Sequence, residues 1–504
     1  MLPLILSASL LISPAVAASR NGGLTIRGDG FIRSSVSAHA GVAPKLRHKR
    51  QDAVSVTNQK TGTSYTVDIE VGTPAQSITV ILDTGSPDLW VNPVCQTSGQ
   101  ESYCAQFSQF DYTQSSTIQD TGYADVLSYG KGNVTIEYVT DMVTIGSAKI
   151  KDQIFGIGLD SYDIPMGILG LSPPVNPANA YPYVLDTMAT QGLIKSRAFS
   201  LDLRSVDDPN GSIVFGGVDT GKYIGALEKM PMLDPAQTPS GADRYWITMT
   251  GIGITLPDGT SQTSDPIEVP VFLDSGGTLS RLPTAIFQAI GGAFPGAQYD
   301  PSSGFFVADC SVANETGSVD FIFNSKVISV PYGDFIWETS GGCVVGVLPD
   351  DTEPVLGDSF LRAAYVVYDQ DNRNLHLAQA ANCGTNLVAI GSGVNAVPSS
   401  TGACTGSSPS VTAGGGGGLD ATATRAPTNV ITGSSPGITS VGFGPGPVAS
   451  RVSVSAGGLT SRPTGTGSSA EPSATKKSAA ASSVTIGYGA LVALCVVNLA
   501  AWAL

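Results

Sequence analysis

Two short stretches constrain this chain more than any other feature. Ile81-Leu82-Asp83-Thr84-Gly85-Ser86 and, much later, Phe272-Leu273-Asp274-Ser275-Gly276-Gly277 each run an apolar strand ending into Asp-Thr/Ser-Gly. Each is followed by an apolar-apolar-Gly element, Ile168-Leu169-Gly170 and Val355-Leu356-Gly357, whose glycines fall 87 and 83 residues after the respective aspartates. A single motif of this kind is a turn. Two in matching frames imply a duplicated lobe that presents one carboxylate per copy.

The texture around these motifs is β. From about 62 to 383 the chain consists of short β-branched runs broken by Gly, Pro, Asn and Asp. Tyr65-Thr-Val-Asp-Ile-Glu-Val71 alternates, and 78–82 and 134–139 are further strand candidates. Helical texture is sparse; 182–191 and 283–290 are the clearest stretches, each with Pro near its first turn. The expected fold is mainly β and bilobal, with a cleft between an N-lobe of about 62–220 and a C-lobe of about 221–383. Each lobe is long enough to bury its own core.

The ends differ in composition. Residues 1–17 read as a secretory signal, with 2–11 mostly apolar and Ala15-Val16-Ala17 as a small-x-small cleavage site, although no Lys or Arg precedes the apolar run. Residues 18–50 read as a basic propeptide that ends in Lys49-Arg50, a step suited to a kexin-type processing enzyme, and the peptidase domain then runs over 51–383. Residues 1–50 carry a net charge of +6 and the remainder −21. A basic segment of this kind suits an acidic cleft, and the acidic remainder argues against nucleic-acid binding, because phosphates would be repelled.

Seven cysteines sit behind the expected signal, so they read as disulfides rather than metal ligands. Cys95 and Cys104 lie close together, Cys310 and Cys343 bracket one C-lobe segment, and Cys383 with Cys404 is a possible third pair; spacing alone does not fix the connectivity. Cys495 belongs to a tail expected to be discarded. Sequons at Asn133, Asn210 and Asn314 fit a secreted glycoprotein.

After 383 the chain turns rich in Gly, Ser, Thr and Pro, and 384–483 is expected to be a disordered stalk. Residues 484–504 are apolar to the last residue with no basic cluster after them. That is the layout of a glycosylphosphatidylinositol (GPI) signal, with attachment around 469–473; a transmembrane helix is the competing reading.

Paired carboxylates carry a definite chemistry. Two that lie a few ångströms apart cannot both ionise, so one holds a shared proton while the other stays charged. The charged one activates a water and the protonated one polarises a carbonyl, without metal or cofactor. On these motifs the chain resembles a pepsin-family aspartic endopeptidase of the fungal GPI-anchored, yapsin-like kind. The resemblance covers about 62–383. It rests on the stretch from Asp83 to Val91 with Trp90, on Tyr129-Gly130-Lys131-Gly132 as the flap that closes over substrate, on Phe272 to Gly276, and on the stretch from Val355 to Asp369. It implies that Asp83 and Asp274 form the dyad, and that Thr84 and Ser275 brace the two loops, with Gly85 and Gly276 in the turns beneath them. Ser86 would donate to Asp83, and Trp90 would hold Tyr129. Protein or peptide substrates and a monomer are the expected partners and state.

One departure stands out. Gly277 occupies a position where the family usually has a hydroxyl residue, so Asp274 loses an expected donor unless Thr278 or a water supplies it. A catalytically weakened binding or cell-wall module is therefore the alternative reading. A triad hydrolase is disfavoured by counting: of three histidines, His39 and His48 lie in the expected propeptide, which leaves His376. Lys131 at the flap tip either favours acidic substrate side chains or points into water.

Overall fold

The computed structural model describes residues 26–28, 30–40, 63–130, 132–175, 180–205, 210–339, 342–411, 418–422, 426–427, 429–431 and 454–455. The expected signal, the Lys49-Arg50 step, Lys131 and the apolar end at 484–504 lie outside the described residues.

The mainly β expectation holds. Thr63–Val71 buries Tyr65, Val67, Ile69 and Val71 and exposes Asp68 and Glu70, the alternation that one covered face requires. One large sheet carries strands from both halves. Across it run Tyr223–Pro231, Asn374–Ala380, Ala364–Asp369, Ala198–Asp202, Asn210–Phe215, Phe31–Ala40, Thr63–Val71, Gln76–Asp83, Gly167–Gly170, Leu89–Val91, Ala148–Tyr162, Asn133–Ile145 and Gln119–Ser128. A smaller sheet holds Trp246–Met249, Val269–Leu273, Val355–Leu356, Ser280–Leu282 and Val347–Pro349.

The near-repeat of the sequence is a repeat in space. Gln76–Asp83 runs parallel to Gly167–Gly170, with Asp83 opposite Gly170. Val269–Leu273 runs parallel to Val355–Leu356, with Leu273 opposite Leu356. In each copy a third strand pairs antiparallel to the glycine-bearing element: Leu89–Val91 in the first, Ser280–Leu282 in the second. The carboxylate thus leaves the end of an inner strand in both halves. Leu82 and Leu273 are fully buried, which anchors each loop in its core.

Both expected helices form. Val184–Thr190 begins where the Asp186 carboxylate accepts from the Tyr183 N–H at 3.0 Å. Thr284–Ala293 starts directly after Pro283, and Asp351 accepts from the Thr284 N–H at 2.8 Å.

Two segments are packed differently from the compositional reading. Phe31–Ala40, within the expected propeptide, is an inner strand between Asn210–Phe215 and Thr63–Val71, and it buries Ile32, Ser34 and Val36. The chain after 383 also stays on the body of the domain. Leu387–Ala389 pairs with Gly217–Asp219, and Ile390, Ala396 and Val397 are buried against Tyr223, Tyr365 and Val367. Gly418–Leu419 pairs with Ser261–Ser264, and the Tyr299 N–H donates to the Asn429 carbonyl at 2.6 Å. Ordered packing therefore continues well past the expected domain end at 383. Averaging composition over a hundred residues hid a few apolar side chains, and a few suffice when grooves already exist to receive them.

Three disulfides form: Cys95–Cys104, Cys310–Cys343 and Cys383–Cys404, with Cα–Cα separations of 5.3, 5.2 and 5.4 Å. The third ties the post-383 segment to the body. Asn133 and Asn314 are exposed, and Asn210 begins the strand Asn210–Phe215.

Candidate active site

Asp83 and Asp274 are almost wholly buried, at 1% and 0% exposure, yet each sits at a loop tip facing the other lobe. Four hydrogen bonds lock the loops together. Thr84 Oγ1 donates to the Leu273 carbonyl at 2.9 Å and accepts from the Ser275 N–H at 2.9 Å. Ser275 Oγ donates to the Leu82 carbonyl at 2.8 Å and accepts from the Thr84 N–H at 3.2 Å. The bracing expected of Thr84 and Ser275 is present, and each hydroxyl acts as donor and acceptor at once.

Gly85 and Gly276 serve a purpose the turn argument missed. Neither adopts positive φ. A Cβ on Gly85 would lie 2.6 Å from the Asp274 carboxyl, and one on Gly276 would lie 2.6 Å from Asp83 Oδ1. These glycines make room for the opposite carboxylate, so the need is steric and crosses the lobes.

The two carboxyls hydrogen-bond to each other, but their surroundings are unequal. Asp83 Oδ1 accepts from the Gly85 N–H at 2.7 Å, and Oδ2 accepts from Ser86 Oγ. Asp274 Oδ1 accepts from the Gly276 N–H at 2.8 Å, while no N–H or O–H donor reaches Oδ2. Burial raises both above the ordinary carboxylate range, and Ser86 and Gly85 draw Asp83 back down. Asp274 is held well above that range by burial first and by the Asp83 charge second. Burial and the unequal donor sets therefore favour the charge on Asp83 and the shared proton on Asp274.

The residues expected to form the flap lie at the end of the hairpin of Gln119–Ser128 and Asn133–Ile145, where the Tyr129 N–H donates to the Gly132 carbonyl at 2.7 Å. Trp90 Nε1 donates to the Tyr129 hydroxyl at 2.9 Å, and that hydroxyl also hydrogen-bonds with Ser86. A continuous chain thus links Trp90, Tyr129, Ser86 and Asp83, so the hairpin tyrosine and the Asp83 carboxylate share one network.

The loop at Gly277 is held by its backbone: its carbonyl accepts from the Asp358 N–H at 2.7 Å. Because Gly277 is outside the left-handed region, threonine fits its backbone conformation. Gly277→Thr is expected to supply Asp274 with a hydroxyl donor, stabilise its charged form, and move the alkaline limb of the pH–rate profile down by about one unit. Rates measured across the acid range check this; an unmoved alkaline limb would defeat it.

Several residues of the site had no assigned role in the sequence. Asp88 accepts from the Tyr138 and Tyr181 hydroxyls at 3.0 and 2.8 Å and so fixes the floor beneath Tyr129. Arg362 donates from Nε to the Tyr65 hydroxyl at 3.0 Å and from Nη1 to the Asp334 carbonyl at 3.1 Å. Asp358 and Arg362 lie inside the 355–369 stretch, which was the available signal. Tyr181 and Arg244 lie in no motif. His376 is a buried strand residue whose imidazole is pushed down to about 4 by burial and then by Lys229, which suits a neutral structural side chain.

Comparison with known proteins agrees with this geometry. The family model described as "Eukaryotic aspartyl protease" matches residues 64–380. The chain is 35% identical over 71% of its length, and 77% of the relative's, to a protein named probable aspartic-type endopeptidase opsB from Aspergillus oryzae. It is 33% identical to aspartic proteinase yapsin-3 from Saccharomyces cerevisiae, over 63% of this chain and 66% of that protein. Among solved structures, the aspartic proteinase from Irpex lacteus superposes with a TM-score of 0.53 at 24% identity, covering 69% of this chain and 98% of that one. With residues 64–380 matched by that family, the chain belongs to the pepsin-like eukaryotic aspartyl proteases and is an aspartic-type endopeptidase.

Proposed function

We propose that Asp83 and Asp274 are the catalytic dyad of a secreted, cell-surface-anchored endopeptidase that cuts proteins or peptides at acidic pH. The observation that carries this reading is the unequal donor set of two carboxyls facing each other across the lobes. Asp83, with two donors, is the ionised base that takes a proton from a water. The resulting oxygen nucleophile attacks the scissile carbonyl carbon, and Asp274 passes its proton to the carbonyl oxygen. As the tetrahedral diol collapses, one of its hydroxyls returns a proton to Asp274, the C–N bond breaks, and the nitrogen leaves with the proton held by Asp83. Tyr129 covers the substrate from above, and burial under the flap strengthens each electrostatic contact.

The finer elements rest on the sequence layout. A signal at 1–17, kexin-type cleavage after Lys49-Arg50, glycans at Asn133, Asn210 and Asn314, and a GPI signal at 484–504 describe one secretory itinerary for a monomer. Removal of 18–50 takes an inner strand out of the large sheet, so processing is expected to remodel that sheet and not merely trim its edge.

The test uses the full chain expressed in a fungal host. A mixed peptide library between about pH 3 and 7 is expected to show acid-range cleavage blocked by pepstatin. Phosphatidylinositol-specific phospholipase is expected to release the protein from intact cells. Cleavage that is insensitive to pepstatin would overturn the first part, and retention after lipase treatment would overturn the anchor.

A further inference from the structure

Arg244 is a buried cation that the two-carboxylate chemistry leaves unused. Trp246–Met249 pairs antiparallel with Val269–Leu273, Trp246 opposite Phe272, and this carries Arg244 and Tyr245 up beside the Asp274 loop. The Leu273 N–H donates to the Tyr245 carbonyl at 3.3 Å. Both side chains then cross to loops of the other half. Arg244 Nη1 donates to the Gly85 carbonyl at 3.0 Å, and the Tyr245 hydroxyl donates to the Leu171 carbonyl.

The guanidinium is only 1% exposed, and its central carbon lies 5.0 Å from the centroid of the Phe272 ring. Glu353 Oε1 is 3.9 Å from Nε, too far for a hydrogen bond, and Nε and Nη2 have no hydrogen-bond partner. A structural ion pair would be expected to engage those donors. Instead the one short bond goes to the peptide between Gly85 and Ser86, the two residues whose N–H and hydroxyl donate to Asp83.

We propose that Arg244 is a positioning residue of the peptidase: it clamps the Gly85–Ser86 peptide from the opposite half and supplies a fixed positive charge behind the aspartate pair. A desolvated cation there favours the ionised form of both Asp83 and Asp274, and its field lowers each of them. The other charged or titratable groups around the pair are Glu353 before Val355–Leu356, Asp358 on the helix that follows, Tyr368 on Ala364–Asp369, and Tyr129 with Asp88 from the flap side. Arg244 is the cation whose field acts on both aspartates. Removing it therefore acts on both limbs of the pH profile in one direction.

The test compares Arg244→Gln, Arg244→Lys and Glu353→Gln in the full, processed protein, with kcat and KM measured across the acid range and Tm alongside. For Arg244→Gln, both limbs are expected to move to higher pH by about one unit, with kcat down about tenfold or more and KM little changed. Arg244→Lys keeps the charge, so its limbs are expected near those of the parent, while kcat stays reduced because an ammonium lacks the planar fork. Glu353→Gln removes an opposing charge and is expected to move both limbs down. Arg244→Gln activity scaled equally at every pH, Lys no closer to the parent than Gln, or limbs that rise or stay fixed in Glu353→Gln would each overturn the proposal. If Arg244→Gln fails to fold, the Lys and Glu353 variants decide alone. Asp274→Asn in the same assay tests the dyad reading separately; activity in that variant would sink the dyad and not the clamp.

Discussion

Asp274→Asn is expected to lower kcat by on the order of 10³-fold or more while leaving the fold intact. The amide is isosteric, and its oxygen still accepts from the Gly276 N–H. On the proposed mechanism, what disappears is the proton that Asp274 passes to the substrate carbonyl. Asp83→Asn is expected to be as severe for the opposite reason: the base is gone, and the amide nitrogen opposes one of the donors from Gly85 and Ser86. Stability separates catalytic loss from misfolding. Asp274 has a folded-state pKa raised by burial, so its contribution to stability is present at low pH and is lost as pH rises. Asp274→Asn is therefore expected to raise Tm at neutral pH and change it little in acid. A variant that is both inactive and less stable at neutral pH would contradict this account.

Asp202→Asn is expected to flatten the pH dependence of stability. Asp202 closes the strand Ala198–Asp202 with 1% exposure. Burial pushes it from 3.8 to about 7; Arg204 and Lys222 oppose the rise, and Asp219 adds to it. Arg204 Nη1 is 3.8 Å away, and Arg33 lies 3.9 Å from Asp219. A raised carboxyl is protonated in the folded chain when the unfolded chain has already ionised. Its stabilisation is full below about pH 4 and is lost as pH rises toward 7, by roughly 4 kcal/mol in all. The parent should therefore be most stable in acid, and Asn should remove most of the slope. Thermal melts from about pH 4 to 7, on the chain with and without residues 18–50, check this, because the proposed cleavage would remove Arg33. An unchanged slope in Asp202→Asn would assign the pH dependence to other groups.

Much of the site was legible because it is built from local, repeated backbone. Asp-Thr/Ser-Gly at the end of an apolar strand codes for one loop geometry twice, and the parallel partners Gly167–Gly170 and Val355–Leu356 were marked by their own glycines. Trp90 and Tyr129 were readable only through their place in motifs, since an isolated aromatic carries no such information. Arg244, Glu353 and Tyr181 were not readable at all. They come from loops with no motif, and they meet the site through contacts spanning 93 residues or more.

The ends show the same division. Composition marked the basic start, yet alternation in Phe31–Ala40 buries Ile32, Ser34 and Val36 as an inner strand, which net charge does not reveal. The Gly/Ser/Thr-rich stretch after 383 suggested a stalk, yet Cys383–Cys404 and side chains such as Ile390 hold it to the body. By itself the sequence determined the duplication, the β texture, the pair of aspartates and the family, because these depend on residue type at fixed local spacing. Only the tertiary structure decided how unequal the donor sets of the two aspartates are, why Gly85 and Gly276 cannot carry a side chain, and that a cation stands behind the pair. Those properties depend on how donors, charges and volumes from distant segments meet in one buried site.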